Sequence, residues 1–209
     1  MDIKKLMLGE LQANCYMLIN HKNECVLVDP GGESEKIVEI IKLQKLKPIG
    51  IFVTHGHFDH IGAVSDIAMK YEIPVYAHKF EGKMMKDPNK NLSSLFSDNH
   101  VSCIATEYVL DNDRIEIGED LVFTVIEVPG HSDHSLCFYH KDGYIFTGDT
   151  LFNGSIGRTD LYSGESSDLT ANIEQRLFTL EDKTIVYPGH GPITSIGVER
   201  INNPFFGGY

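Results

Sequence analysis

Short apolar runs and polar turns alternate along the first thirty residues. Residues 1–8, 14–20 and 24–29 read as a β-meander that stops at Asp29-Pro30-Gly31-Gly32. From Ser34 to Leu46 the period changes, with Ile37, Val38, Ile40 and Ile41 on one face at helical spacing. The continuous apolar run Ile49 to Val53 predicts a buried strand. Residues 61–71 then look helical, Pro74 to Ala77 forms a short strand, and the polar stretch 79–99 reads as helix plus loop. In the second half, Val109 to Ile117 and Leu121 to Val128 alternate like strands. Leu136 to Tyr139 and Tyr144 to Thr147 follow, joined by a Lys141-Asp142-Gly143 turn. Ser166 or Ser167 is placed to cap a helix carrying Leu169, Ile173, Leu177 and Leu180, and Thr184 to Tyr187 is the last strand. Strands with helices in two similar halves predict an α/β (α+β) protein, two β-sheets face to face with helices outside. No linker or repeat divides the chain, so one domain over residues 1–209 is expected.

Composition narrows the function classes. A chain of 209 residues with 42% hydrophobic residues can bury a core without disulfides. Its formal net charge of -12 argues against nucleic acid as a partner. Bound divalent cations would offset part of that acidity. No basic-then-apolar leader and no apolar run near ~20 residues is visible, which predicts a soluble, cytoplasmic protein with no membrane contact. Cys15, Cys25, Cys103 and Cys137 are widely spaced and lack a C-x-x-C pair. Three lie in strand-like apolar runs, so buried thiols are expected rather than ligands.

Four ligand-type segments carry the chemistry. His55, His57, Asp59 and His60 in THGHFDH, then His131, Asp149 and His190, each follow a predicted strand in a glycine-containing turn. A rigid sheet can aim groups placed at its strand ends. Seven such side chains exceed the four that one tetrahedral zinc takes. They suit two metals that share a carboxylate. Two residues apart on an extended segment, His55 and His57 can chelate one metal with His131. Beyond the turn, Asp59 and His60 can face a second with His190, and Asp149, with two oxygens, is the natural bridge. Imidazole and carboxylate without thiolate suit zinc, iron or manganese. Metals ~3.5–4 Å apart would clamp a bridging hydroxide and polarise a carbonyl, the logic of two-metal hydrolysis. Asp59 and Asp149 are thus the candidate catalytic carboxylates.

The H-x-H-x-D-H run with the later His131, Asp149 and His190 resembles the metallo-β-lactamase superfamily over nearly the whole chain, Asp29-Pro30-Gly31 included. Gly148 to Leu161 (GDTLFNGSIGRTDL) and Glu199 to Phe206 (ERINNPFF) resemble its glyoxalase II-like hydrolases, in the short form that lacks a helical C-terminal domain. The resemblance implies a four-layer αββα sandwich, the same ligand split, and hydrolysis of a thioester such as S-lactoylglutathione. A thiolate leaves readily, so no strong general acid is required. Relatives with a cysteine in the second metal site, the usual β-lactamase arrangement, are set aside because no cysteine falls at a ligand position.

Three rivals stay open: a mononuclear iron persulfide dioxygenase, a lactone or ester hydrolase, and a non-catalytic metal-binding or redox module. Around the ligands, Asp29 is either a partner to a ligand histidine or a turn aspartate. Arg158 either grips a substrate carboxylate or makes a salt bridge to Asp160 or Glu165. Phe152, Tyr162, Phe205 and Phe206 wall the pocket, pack internally or serve a dimer; monomer and homodimer are both open. Ser132-Asp133-His134-Ser135 departs from a branch that commonly has glycine there. Asp133 or His134 would then take a positive φ, or His134 would face the site.

Overall fold

The structure, a computed structural model, describes residues 1–96, 100–162 and 169–207. It contains two compact units: Met1–Val109 with Glu116–Leu121, and Leu110–Ile115 with Val122–Tyr209.

The first unit is built on a six-stranded sheet of β1 (Asp2–Leu8), β2 (Ala13–Ile19), β3 (Glu24–Val28), β4 (Lys47–Phe52), β5 (Val75–His78) and β6 (Glu107–Val109), in that order. The meander β1–β3 is antiparallel, with Asp2 opposite Ile19 and Tyr16 opposite Val28. From β3 to β6 every pairing is parallel. Parallel strands need crossovers, and these are supplied by α1 (Ser34–Leu43), α2 (Phe58–Ile61), α3 (Val64–Tyr71), α4 (Glu81–Met84) and α5 (Ser93–Phe96). Ile37 and Ile41 of α1 and Val64 and Ile67 of α3 are buried with Cys15, Met17, Leu27 and Ile51. Each fully buried aliphatic side chain contributes about 1.5–3 kcal/mol.

The second unit holds the sheet β14-β13-β10-β9-β8-β7, formed by β7 (Arg114–Glu116), β8 (Val122–Glu127), β9 (Leu136–His140), β10 (Tyr144–Gly148), β13 (Ile185–Pro188) and β14 (Thr194–Ser195). A two-stranded ribbon, β11 (Leu151–Phe152) with β12 (Ser155–Ile156), and the helices α6 (Leu169–Arg176) and α7 (Ile196–Asn202) complete it. Leu169, Ile173 and Leu177 pack with Val128, Ile145, Val186 and Ile196.

Several elements differ from the expectation for local reasons. The helix expected to reach Leu46 ends at Leu43, because Lys45 turns to φ 53° and the Leu46 N–H reaches back to the Ile41 carbonyl at 2.9 Å. Val109 to Ile117 is not one strand but the end of β6 and the whole of β7. Between them lies Asp111-Asn112-Asp113, where Asn112 has φ 66° and the Asp113 carboxylate accepts the Leu110 N–H at 2.8 Å. Three consecutive turn formers outweigh the flanking apolar alternation. Helix α6 is described from Leu169, so the proposed caps Ser166 and Ser167 lie outside the described residues. Leu180 falls beyond the helix end, although it still packs against that core. Helix α7 went unread, although Ser195 caps it by accepting the Val198 N–H at 3.3 Å.

All four cysteines are buried thiols. Burial pushes the Cys25 and Cys103 thiols up to about 12 and raises that of Cys15 as well. We therefore expect no thiol to react with a disulfide reagent at pH 8 in the folded protein and all to react on unfolding. Labelling of the native state would contradict this packing. Among the described residues no helix is long and apolar enough to cross a membrane.

Candidate metal centre

In the first unit β4 ends at Phe52 and the chain runs into THGHFDH. His55, His57 and His60 are buried at 0%, 3% and 0% exposure. The His55 ring lies 4.7 Å from that of His57 and 4.3 Å from that of His60, centroid to centroid. His57 is extended and precedes the one-turn helix α2, so Asp59 and His60 leave the chain from helical positions while His55 and His57 leave it from an open segment. The His60 Nε2 is 3.5 Å from Asp59 Oδ2.

Asp29 sets the rings. Its carboxylate, 1% exposed, accepts the Thr54 N–H at 2.8 Å and the Thr54 hydroxyl at 2.6 Å, and lies 3.0 Å from His60 Nδ1. Because Thr54 spends its proton on Asp29, its oxygen is left to accept from His55 Nδ1 at 3.0 Å. The network thus puts a proton on Nδ1 of both rings and leaves each Nε2 with a lone pair. That is how a metal-ligating histidine is held. Asp29, His55 and His60 offer ligand-type atoms within 4.8 Å of one another. The Asp29 oxygens are already engaged, however, so we assign this residue to orientation rather than ligation. Asp29 itself has φ 50°. Gly31 allows the following loop to lie directly on α2, where a Cβ would sit 1.6 Å from the Asp59 carbonyl oxygen. Beneath the run, the buried Glu81 carboxylate accepts the Gly56 N–H at 2.8 Å, and the Asn91 carbonyl accepts the Phe58 N–H at 2.9 Å.

In the second unit His131, Asp149 and His190 come together. His131 and His190 present Nε2 to the same oxygen, Asp149 Oδ2, at 3.7 and 3.6 Å. His131 Nδ1 is 2.7 Å from the Arg158 carbonyl, which can only accept, so here too Nε2 carries the lone pair. Phe152 meets the His190 ring edge-on at 6.2 Å. The donor set fits divalent metals: imidazole nitrogens, those of His55, His60 and His131 with their far sides anchored, hard carboxylates, and no thiolate among them.

Arg158 contributes its backbone here, whereas its exposed guanidinium makes a two-pronged pair with Asp160 at 2.7 and 2.8 Å. That pair holds the Asp160 carboxyl down at about 2. Of the two partners read for Arg158, Glu165 lies outside the described residues. Neither Asp133 nor His134 takes a positive φ; in this segment that conformation falls on Gly130, at φ 136°. His134 is engaged instead by Glu127, Nδ1 to Oε1 at 2.6 Å. Phe206 packs against Phe178 at 4.7 Å, while Tyr162 and Phe205 are half exposed. Thr54 and Asn91 could not be singled out by residue type, since neither is a ligand type; Glu81 is one, but it lies 25 residues from Gly56 and in no ligand-rich segment. Only the position of Thr54, next to His55, was a signal.

The metallo-beta-lactamase superfamily profile matches residues 8–190. The chain belongs to that superfamily. Its fold is the mixed α/β, two-sheet fold of metallo-beta-lactamase structures. The chain is 39% identical to the probable metallo-hydrolase YqgX of Bacillus subtilis (strain 168), covering 100% of this chain and 99% of that one. It is 28% identical to the hydroxyacylglutathione hydrolase GloC of Haemophilus influenzae, covering 98% of each. Among superfamily structures, BLEG-1 B3 metallo-beta-lactamase superposes with a TM-score of 0.94 at 40% identity, over 99% of this chain and 100% of that one. TTHA1623 in a di-iron-bound form gives 0.86 at 34%, over 97% and 99%.

Proposed function

We propose that this protein is a binuclear metallohydrolase of the glyoxalase II type, acting on a thioester of a small 2-hydroxy acid such as S-lactoylglutathione. His55, His57 and His131 would hold one metal, Asp59, His60 and His190 the other, with Asp149 between them, in a single domain over residues 1–209. The observation that carries this reading is the engagement of the Nδ1 atoms of His55, His60 and His131 by Thr54, Asp29 and the Arg158 carbonyl, which selects one tautomer for each ring. Core histidines need one partner; here the far nitrogens are kept as acceptors. The name of GloC supports the thioester, and that of YqgX supports hydrolysis.

Divalent metals bound at this site, zinc or else iron or manganese, would supply an acidified water and a Lewis acid for the acyl carbonyl. The rest is done by side chains. Asp59, half-buried beside His60, would orient the attacking water. Asp149 holds its carboxylate where His131 and His190 converge. A thiolate leaving group needs no proton from the protein, consistent with the absence of an obvious acid among the residues assigned here. Phe152, against His190, lines the substrate side, with Tyr162 at its exposed margin. The Arg158 guanidinium is assigned to loop shape: Arg158→Ala should leave KM unchanged and lower stability by under about 1 kcal/mol. A raised KM would return it to substrate binding.

The test is metal analysis of the purified protein with hydrolysis assays on S-lactoylglutathione, a lactone and a β-lactam, alongside oxygen uptake with glutathione persulfide. We expect about two metal ions per chain and thioester cleavage abolished by chelation. One iron with oxygen uptake and no hydrolysis would sink the proposal.

A further inference from the structure

The tail that includes ERINNPFF forms α7 and a 3-10 turn at Pro204–Phe206. Two of its polar residues point inward: Glu199 and Asn203, four apart on one face, are 1% and 0% exposed. Glu199 Oε1 accepts the Thr194 hydroxyl at 2.6 Å, and Oε2 accepts the Gly154 N–H at 2.9 Å and Asn203 Nδ2 at 2.8 Å. Asn203 Nδ2 also donates to the Ser155 carbonyl at 3.0 Å, while its Oδ1 accepts the Phe205 N–H at 3.1 Å. A buried carboxylate is costly unless fully bonded, and an aliphatic residue would fill the same space. These bonds must therefore fix something that packing alone would leave loose.

What they fix is the tip of the β11–β12 ribbon, through the backbone of Gly154 and Ser155. The ribbon lies between segments that carry the candidate ligands of its unit. Asp149 lies two residues before it, and Phe152 within it packs on His190. Its exit leads at once into Gly157, where a Cβ would stand 1.7 Å from the Asp149 carbonyl oxygen and 3.2 Å from His131 Cβ. Next comes Arg158, whose carbonyl takes the His131 Nδ1 proton at 2.7 Å. Through Thr194 of β14 the same carboxylate ties the ribbon to the segment that follows His190.

We propose that Glu199 and Asn203 are positioning residues for the metal centre, a clamp that sets the tilt of the ribbon and so the aim of His131 Nε2 and the Asp149 carboxylate. The inference rests on reading those residues as ligands. The amide of Gln at 199 would turn a donor toward one of three donors, so Glu199→Gln should spring the clamp while keeping its size.

The experiment compares Glu199→Gln and Asn203→Leu with Arg200→Ala, a control on the same helix. Arg200 bonds Asp182 and the Phe178 and Leu180 carbonyls, none of them in the ribbon. Two readouts are taken: metal affinity against a competing chelator, and the His131 Nδ1 proton resonance in the metal-free protein. The clamp variants should bind one metal about tenfold more weakly and broaden or shift the His131 resonance; Arg200→Ala should lower Tm alone. Unchanged resonance and affinity in Glu199→Gln would overturn the proposal. So would an equal loss of both in Arg200→Ala at matched stability. Thr194→Val, which removes a single bond, keeps the test open if Glu199→Gln does not fold. If the wild-type protein takes up no metal, the functional reading fails, and the resonance still decides the clamp.

Discussion

Replacing Asp29 by alanine should weaken metal binding and unsettle the first unit together. One carboxylate there accepts the Thr54 N–H and hydroxyl and faces His60 Nδ1, and through the hydroxyl it also fixes His55. Removing it leaves buried donors facing nothing, each worth about 1–3 kcal/mol. We expect a loss of roughly 3–5 kcal/mol in denaturant unfolding, the range for breaking a buried charged network. Both histidines would also lose the bond that selects their tautomer, so affinity for each metal should fall about 10–100-fold. Asp29→Asn separates the two effects. It keeps the shape and one acceptor for the Thr54 N–H, but turns an amide toward His60 or Thr54. Its stability should recover more than its metal affinity. Competition with a chelator reads the affinity; full metal retention by Asp29→Ala would show that Asp29 is only a turn aspartate.

That residue also marks how far the sequence could be read. The candidate ligands from His55 to His190 stood out because imidazoles and carboxylates gathered after strand ends are rare in a core. The split of THGHFDH into an extended half and a helical half was legible in outline, since Gly56 separates the first two histidines. Anchoring was not. Asp29 and Thr54 are 25 residues apart, and nothing in the composition of either says that the two meet. The backbone role of Arg158 was hidden for a deeper reason: a carbonyl is the same in every residue, so sequence showed only the guanidinium. Fold errors followed the same line. The apolar alternation from Val109 to Ile117 concealed a turn that Asp111-Asn112-Asp113 should have signalled. Short elements such as β11, β12 and α7 owe their existence to tertiary partners, Glu199 and Asn203 among them, rather than to local period.

Gly157→Ala tests the second unit as sharply as Asp29 tests the first. The added methyl would stand 1.7 Å from the Asp149 carbonyl oxygen and 2.9 Å from its carbon. Real Cβ contacts do not come that close, and the obstacle is backbone, which cannot swing aside like a side chain. Either the 149–150 turn or the 157–158 segment must move by more than about 1 Å, and a displacement of that size at a reacting centre can lower the rate ~100-fold. Asp149 and the carbonyl that holds His131 move with it. We expect hydrolytic activity to fall at least that far, with metal retention weakened. Gly143→Ala is the control: Gly143 has φ 85° in the β9–β10 turn, and nothing lies within 4 Å of its new methyl. It should lose about 1–2 kcal/mol from left-handed backbone strain while keeping both metals and activity. If Gly157→Ala behaves like that control, the close approach of the ribbon to Asp149 has no part in the chemistry.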